Sequence, residues 1–457
     1  MTLARLNRLR QLLWLYFWLL IFEGALRRWF LPAFSDPLLL IRDPIALLAL
    51  FWAWPLLYRR PWRAWLIPLL FIGPISLILA ITVGHGDILT ALYGSRVLLL
   101  QLPLIFVFAT VFNRDDVIRI AWISLFISIP MTVLLVAQSS VPPAHILNVG
   151  AGGVGSAVFD GAAGRFRPPG TFSFINGVSL FYSLALASLF SVLYANPIGQ
   201  KQRIFCAVAA TFLVVAVPVS ISRSLLAGYI QVAASLILSL LISRTKILPV
   251  VYGFLALFLA FSVATTTPAF QQTVDAFAIR WEQAAASESE DNSSALASSA
   301  GIFEQRILNG LLTPLSNLEN IPILGFGIGL GSNVGSQRLA GVTTFLLGEG
   351  SWESSLSELG LPIGLVFLIW RLSLAFWILR RALRSAFQKE RLPLIFVGAT
   401  FLILITGQTS QPTGLGFLVL LAGLSLASFN PSSRLQASIS YQVPKRKTNS
   451  FNPFKSL

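Results

Sequence analysis

The chain has 457 residues, of which 55% are hydrophobic and only 11% are charged, and its mean hydropathy is +0.76. Because soluble domains carry about 25% charged residues, this composition excludes an ordinary soluble protein and predicts an all-α protein that crosses a membrane many times. The single cysteine, Cys206, excludes a disulfide within the chain, and with only two histidines we expect neither a metal centre nor another cofactor.

Apolar runs long enough to cross a hydrocarbon core of about 30 Å recur along the whole sequence. The first run has no small-residue cleavage site after it, which indicates a retained helix rather than a signal peptide. In chain order the runs predict twelve helices, at residues 11–31, 38–58, 65–83, 92–112, 117–138, 172–195, 203–221, 224–243, 247–266, 354–379, 392–409 and 412–429.

The distribution of lysine and arginine predicts the orientation of these helices. Most of the 33 basic residues fall in one alternating set of segments, at 5–10, 59–63, 114–119, 201–203, 244–246, 380–391 and 434–455. The positive-inside rule places this set and both termini in the cytoplasm. The net charge of +15 is therefore interpreted as a topology signal, with a lipid bilayer as the partner and no nucleic acid.

The chain divides into four predicted parts. Residues 1–266 hold helices one to nine with an outer loop at about 139–171, and residues 267–353 form a large, partly helical outer loop. Residues 354–429 hold the last three helices, and residues 430–457 are a basic cytoplasmic tail. Loops longer than about 12–15 residues are usually functional or disordered, so both outer loops are candidates for the functional region.

Three arginines fall on the predicted outer side, where basic residues are normally depleted. Arg165 and Arg167 precede a helix in "GRFRPPGTFSF", and Arg223 lies in a short turn between two apolar helices. Arginines snorkel at interfaces, but a guanidinium also offers paired donors to an anionic phosphate. We interpret Arg165 and Arg167 as candidate phosphate ligands, with interfacial snorkelling as the alternative. Arg223 is interpreted as a second cation at the outer mouth of the bundle, with an ordinary polar residue of a short turn as the alternative.

The stretch "ILGFGIGLGSNVGSQR", ending at Arg338, is rich in glycine. A nucleotide-binding fingerprint would need a preceding strand, a following helix and a cytoplasmic location, and none is predicted here. A bent loop lying against the membrane surface fits better, because glycine permits tight backbone paths. Arg338 then becomes a reserve ligand for the same outer cavity.

Three glutamates, Glu349, Glu353 and Glu358, come just before or at the start of the tenth predicted helix. Acidic residues are favourable at a helix N-terminus, which is a sufficient explanation for Glu353. Glu349, beside glycine and near Trp352, is a candidate general base for a sugar hydroxyl. Trp352 either stacks on a sugar ring or anchors at the interface.

Two further residues carry predictions. Arg96 falls inside the fourth predicted helix, where it either pairs with a carboxylate of another helix or lines the cavity. His85, in a predicted outer loop, is interpreted as a residue without a role in the site.

Four short motifs, taken in this order, make the sequence resemble the O-antigen ligase and O-antigen polymerase family of bacterial membrane glycosyltransferases. They are an Arg-x-x-Gly-Thr-Phe motif with a following asparagine, a Ser-Arg-Ser motif, a Gly-x-Gly-x-Gly motif and a Glu-Leu-Gly motif with a further glycine. Their residues are Arg167, Gly170, Thr171, Phe172 and Asn176; Ser222, Arg223 and Ser224; Gly325, Gly327 and Gly329; and Glu358, Leu359, Gly360 and Gly364.

The resemblance implies a C-type glycosyltransferase-like fold and transfer of a glycan from an undecaprenyl-diphosphate-linked oligosaccharide to an acceptor glycan in the periplasm, without a metal. Arg167, Arg223 and Glu349 are then the expected catalytic residues, and Arg165, Arg338, Arg96, Trp352 and Glu353 the expected substrate-binding residues. Where ligases of this family carry a histidine, this sequence has Glu349, which favours a polymerase-like member, with chain-length regulator or export proteins as further partners.

Three alternatives stay open at this point: an O-antigen ligase, a transporter or flippase of lipid-linked oligosaccharides, and a non-catalytic assembly scaffold. A closed outer cavity on which the arginines converge would favour the enzyme. A midplane cavity between two similar halves would favour transport.

Overall fold

The computed structural model describes residues 3–58, 61–153, 166–195, 198–245, 321–341 and 350–431, with a few isolated positions between 271 and 347. The predicted helix 247–266, most of the predicted loop 267–353 and most of the tail 430–457 lie outside these residues. The described chain is helical, with no strand assigned in these ranges.

Its helices are α1 (Leu3–Ala25), α2 (Ser35–Leu38), α3 (Arg42–Leu57), α4 (Trp62–Thr82), α5 (Ile88–Arg96), α6 (Leu104–Val111), α7 (Arg114–Ser140), α8 (Ile175–Ala195), α9 (Gln200–Ser220), α10 (Arg223–Ile242), α11 (Asn333–Ala340), α12 (Ser351–Leu359), α13 (Leu361–Phe387), α14 (Leu392–Thr406) and α15 (Pro412–Ala427).

Within the described ranges, nine stretches are long and apolar enough to cross a membrane, and α14 and α15 are shorter apolar helices. One of the nine, Ile88–Val111, runs through α5 and α6, which are joined by a wide π turn at Val97–Gln101. The prediction of an all-α protein with many membrane-spanning helices is confirmed.

The predicted helix 354–379 is wrong in one respect, because the chain breaks at Gly360. This glycine has φ +81°, a conformation that side-chain-bearing residues rarely adopt. It separates α12 from α13, and the two helices run antiparallel, with Leu356 packed on Gly364 and Ser351 hydrogen-bonded to Arg371. Arg371 lies ten residues into α13, so α12 folds back along the first turns of that helix. We call α12 re-entrant in this sense, of a helix that runs back along the one that follows it.

We call the end of the bundle that carries residues 321–332 the upper end, and the opposite end the lower end. Ion pairs between Arg10 and Asp116 and between Arg114 and Glu390 lie at the lower end. Two members of the predicted basic set, Arg10 and Arg114, therefore meet at this end. The assignment of that side to the cytoplasm stays a prediction.

Buried charges join the first helices to the last one near the upper end. Arg42 donates to Glu23 at 2.8 Å and to the carbonyl oxygen of Pro412 at 2.7 Å, and Arg27 lies 3.9 Å from the same glutamate. Charges at this depth are costly unless paired, so this group fixes α1 and α3 against the start of α15.

Arg371 is a second buried cation, 2% exposed. Its guanidinium donates to the carbonyl oxygens of Leu404 at 2.8 Å and Gly407 at 2.7 Å, and to the Ser351 hydroxyl at 2.8 Å. The last carbonyls of a helix lack partners within it. Arg371 therefore satisfies the end of α14 and holds the re-entrant helix α12 beside it.

We expect Arg371→Met to lower the free energy of unfolding by about 1–3 kcal/mol, because it leaves buried carbonyls without donors. Thermal unfolding in detergent measures this loss. Arg384→Met, on the exposed surface of the same helix, is the matched control and should change stability by less than about 0.5 kcal/mol. Equal melting temperatures for the two variants would contradict the role of Arg371.

Candidate functional site

A cavity of about 30 Å³ lies at the upper end, between α5, α12 and the turn that joins α14 to α15. This volume holds one or two water-sized groups. Hydroxyl groups and one carboxyl group line its polar side, and aliphatic and aromatic side chains line the other. The lining residues are Tyr93, Gly94, Val97, Leu98, Ile328, Gly329, Ser332, Ser355, Glu358, Leu359, Phe367, Thr409 and Ser410.

Glu358 is the carboxylate of this cavity. It lies near the end of α12, half-buried, and its Oε1 accepts a hydrogen bond from the amide of Gly331 at 2.7 Å. Burial raises the pKa of Glu358 to about 7, although the Gly331 and Gly329 amides oppose this shift. Among the described residues Glu358 forms no ion pair, so burial rather than a neighbouring charge sets the direction of this pKa shift.

The glycine-rich segment Ile321–Ser332 forms one wall of the cavity. The amides of Phe326 and Gly327 donate to the carbonyl oxygens of Ser357 at 2.8 Å and Glu358 at 3.1 Å. Gly325, Gly327 and Gly329 have φ values of +76°, +105° and +98°. Each glycine of the Gly-x-Gly-x-Gly motif is therefore required by a backbone conformation that presses the segment onto the end of α12.

We expect Gly329→Ala to release this wall, because a Cβ atom there would clash with the carbonyl oxygen of Thr90 as well as strain the backbone. Gly341→Ala is the control, since Gly341 has φ +67° but open space around it. Gly341→Ala should cost only about 1–2 kcal/mol of backbone strain, and Gly329→Ala clearly more. Thermal unfolding compares the two, and equal losses would contradict the packing argument.

Two contacts attach the glycine-rich segment to the α4–α5 turn. His85 bonds the carbonyl oxygens of Phe326, through its amide at 3.1 Å, and of Ile328, through Nε2 at 3.2 Å. His85 therefore holds this segment without lining the cavity, and its interpretation as a residue without a role in the site stays a prediction. Arg338 binds both oxygens of Asp87, at 3.0 and 3.2 Å, and this hydrogen bonding holds the pKa of Asp87 well below its usual range. Arg338 braces the segment and does not line the cavity.

Arg96 pairs with a carboxylate of another helix, the first of the two predicted alternatives. Its Nη1 lies 2.9 Å from Asp43 Oδ2, and its guanidinium lies 4.0 Å from the centre of the Tyr93 ring. Gln101 also donates to Asp43 and accepts from Tyr16. Arg96 thus stands behind the cavity-lining Tyr93.

The structure gives the remaining residues of the "GEGSWESS" stretch separate environments. Trp352 is 7% exposed and donates its indole N–H to the carbonyl oxygen of Ile405 at 2.8 Å, so its ring packs inside the protein. Glu353 is exposed in the first turn of α12, where its charge suits the helix dipole. Glu349 lies outside the described residues.

Arg167 and Arg223 are both half-buried at the upper end, and neither lines the cavity. Arg223 begins α10, directly after Ser222, whose hydroxyl lies 2.8 Å from that of Ser179 on α8. One turn earlier on α8, Asn176 donates to Gln411, next to the cavity residue Ser410, at 3.0 Å. The start of α10 and the turn that joins α14 to α15 therefore both contact the first two turns of α8. Arg165 lies outside the described residues.

Arg28 holds the segment before α8 in place. Its guanidinium donates to the carbonyl oxygens of Val149 at 2.6 Å, Gly170 at 2.8 Å and Leu147 at 3.0 Å. Arg28, just after the end of α1, therefore holds both flanks of the predicted outer loop 139–171. Gly170, on the second flank, is three residues from Arg167 in the chain.

Sequence reasoning included Glu358 in a motif but did not identify it as the carboxylate of a cavity, and it missed Tyr93, Ser355, Thr409 and Ser410. The signal available was the Glu-Leu-Gly-Leu-Pro stretch, in which a glycine and a proline mark a helix break directly after a carboxylate. Comparisons with protein-family models, curated proteins and solved structures find no match for this chain.

Proposed function

We propose that this protein is a metal-independent glycosyltransferase that joins glycan units from an undecaprenyl-diphosphate-linked oligosaccharide to an acceptor glycan, as a polymerase of surface or exopolysaccharide. The observation that carries the proposal is Glu358, a half-buried carboxylate that lines a hydroxyl-rich cavity at the upper end of a bundle of apolar helices. The order of the four short motifs, which resembles that of O-antigen polymerases and ligases, supports the same reaction.

In this proposal Glu358 accepts the proton of the attacking sugar hydroxyl. The Gly331 and Gly329 amides hydrogen-bond this carboxylate, and the acceptor hydroxyl would use a remaining lone pair of its oxygens. A general base works best when its pKa lies near the operating pH, and the pKa of about 7 meets that condition. The cavity has room for a hydroxyl group rather than a whole sugar ring, so the acceptor reaches Glu358 from outside with one hydroxyl.

The leaving group is a diphosphate, and cations must neutralise the charge that develops on its bridging oxygen. Arg223 and Arg167 take this role. Both are at the upper end, half-buried, and the Ser179–Ser222 and Asn176–Gln411 contacts draw the start of α10 toward the cavity turn. The new bond joins the acceptor oxygen to the sugar carbon, the bond from that carbon to the diphosphate breaks, and undecaprenyl diphosphate leaves with the electron pair.

The membrane assignment follows from charge. The basic lower end faces the cytoplasm of a bacterial inner membrane, both termini lie there, and the cavity faces the periplasm. An O-antigen ligase would differ only in the acceptor that meets the same site. Chain-length regulators or export proteins are the expected protein partners.

A transporter of lipid-linked oligosaccharides is the second candidate, because α12 is re-entrant and discontinuous helices occur at transporter binding sites. Such sites lie near the middle of the bilayer. The cavity extends from Ile328 and Gly329 to Leu98, ten residues into the span Ile88–Val111, so the vesicle test below, rather than the depth of the cavity, separates the two candidates.

The test uses purified protein in vesicles that contain an undecaprenyl-diphosphate-linked oligosaccharide. We expect longer glycans and free undecaprenyl diphosphate, measured by mass spectrometry. Movement of the oligosaccharide across the bilayer without elongation would establish the transporter instead, and neither product would refute both proposals.

A further inference from the structure

Three neighbouring apolar side chains of the glycine-rich segment point away from the protein. Ile323 is 71% exposed, Leu324 is 44% exposed and Phe326 is 47% exposed. The backbone beneath them is fixed, since Phe326 is bonded through both its amide and its carbonyl group and Pro322 accepts from the Leu361 amide. A rigid path therefore presents these side chains outward.

This patch lies at the upper end of a wall made by α4 and α13. The two helices are joined by a hydrogen bond of 2.9 Å from the Trp370 indole to the carbonyl oxygen of Trp65. Both helices are membrane-spanning by length and composition, and each carries a row of exposed apolar side chains. The rows are Phe71, Ile75 and Ile78 on α4 and Val366, Ile369 and Phe376 on α13.

The patch is continuous with this wall through direct contacts. The Phe326 carbonyl accepts from His85, just beyond the end of α4, and the Leu361 amide at the start of α13 donates to Pro322. Arg338, six residues after the end of the segment at Ser332, forms an exposed ion pair with Asp87. The chain is thus apolar at residues 323–326, next to the wall, and charged at Arg338.

We propose that Ile323, Leu324 and Phe326 insert into the hydrocarbon of the bilayer leaflet at the upper end and anchor the glycine-rich segment there. The occupant is lipid because the patch extends a wall whose two helices have the length and apolar composition to cross a bilayer, and the exposed apolar area would otherwise face water. The anchor holds Ile328 and Gly329, on the same segment, at the wall of the cavity. The proposal does not depend on the proposed function.

Single-cysteine variants test the insertion. Ile323→Cys and Phe326→Cys carry an environment-sensitive fluorophore in vesicles of phosphatidylethanolamine and phosphatidylglycerol. Quenching is measured with doxyl groups on the lipid chains and with iodide on both sides of the membrane. Val366→Cys, on the wall, is the hydrocarbon control, and Gln337→Cys, exposed on α11, is the aqueous control. The unsubstituted protein, whose Cys206 is buried, gives the background labelling.

We expect the doxyl lipid to quench fluorophores at positions 323 and 326 as strongly as a fluorophore at position 366. Iodide should quench all three only weakly. Quenching by iodide at the level of position 337 would overturn the proposal. Protection from both quenchers would overturn it as well, since it would show that protein rather than lipid covers the patch. Each variant replaces only an exposed side chain, and its retention of fold is checked by its melting temperature.

Discussion

Glu358→Gln should lower the rate of glycan transfer by about 10²–10⁴-fold, the usual contribution of a general base. The amide keeps an oxygen for the Gly331 N–H but cannot take the proton of the acceptor. The measurement is the initial rate of glycan elongation in vesicles. In the unsubstituted protein this rate should rise with pH through about 7, because only the ionised carboxylate of Glu358 accepts a proton.

As the pH rises through about 7, the transfer rate should rise but the free energy of unfolding of the unsubstituted protein should fall. The pKa of Glu358 in the folded protein, about 7, lies above its ordinary value, so the protonated form favours folding. That contribution is complete below the unfolded pKa of about 4.3 and is lost as the pH rises through about 7. At pH 8 we therefore expect Glu358→Gln to be more stable than the unsubstituted protein, by about 2 kcal/mol after solvent screening of a partly exposed group.

A matched control distinguishes the specific effect of Glu358 from the general effect of removing a negative charge. Glu353→Gln removes a carboxylate from the same helix, but an exposed one, and should leave both the rate and its pH dependence nearly unchanged. If Glu358→Gln kept full activity while the unsubstituted protein made polymer, the base would be another group, and the proposed reaction would stand without Glu358.

Replacement of Arg223 has the second-largest expected effect. Arg223→Ala should lower the maximal rate about 10²–10³-fold, as expected when a donor to developing charge is removed. Arg223→Lys should recover part of that loss, because an ammonium supplies charge without the paired donors of a guanidinium. Steady-state elongation rates at saturating donor measure the effect.

The control is Arg203→Ala, an exposed arginine at the lower end, which should leave the rate unchanged. A rate for Arg223→Ala within twofold of the unsubstituted protein, with normal folding, would remove Arg223 from the reaction. A loss of folding in both Arg223 variants would instead make the residue structural and would contradict its assignment to the diphosphate.

The sequence predicted most of the described helices, because a membrane-spanning helix is a local property of about 20 apolar residues. The predicted 117–138 and 172–195 correspond to Arg114–Ser140 and Ile175–Ala195. The break at Gly360 was missed, since Leu359, Leu361 and Ile363 continue the apolar pattern on either side of it. Only the backbone conformation of the glycine separates the re-entrant helix from the span.

The site was less predictable because its partners are distant in the chain. Nothing local to Arg96 indicates Asp43, which is 53 positions away. Nothing local to Glu358 indicates Gly331, which approaches only because three glycines bend the segment before it. Composition identified which residues are unusual, and the fold determined which of them meet.

The bond from Arg42 to Pro412 has a consequence for biosynthesis. The two residues are 370 positions apart. Most of the bundle is therefore synthesised before Pro412, whose carbonyl oxygen accepts from Arg42. Until then α3 holds a cation with Glu23 as its known partner, and the N-terminal helices cannot complete their packing. Final closure of the bundle therefore waits for the last hairpin, and chains truncated before residue 412 should be recognised by membrane quality-control proteases.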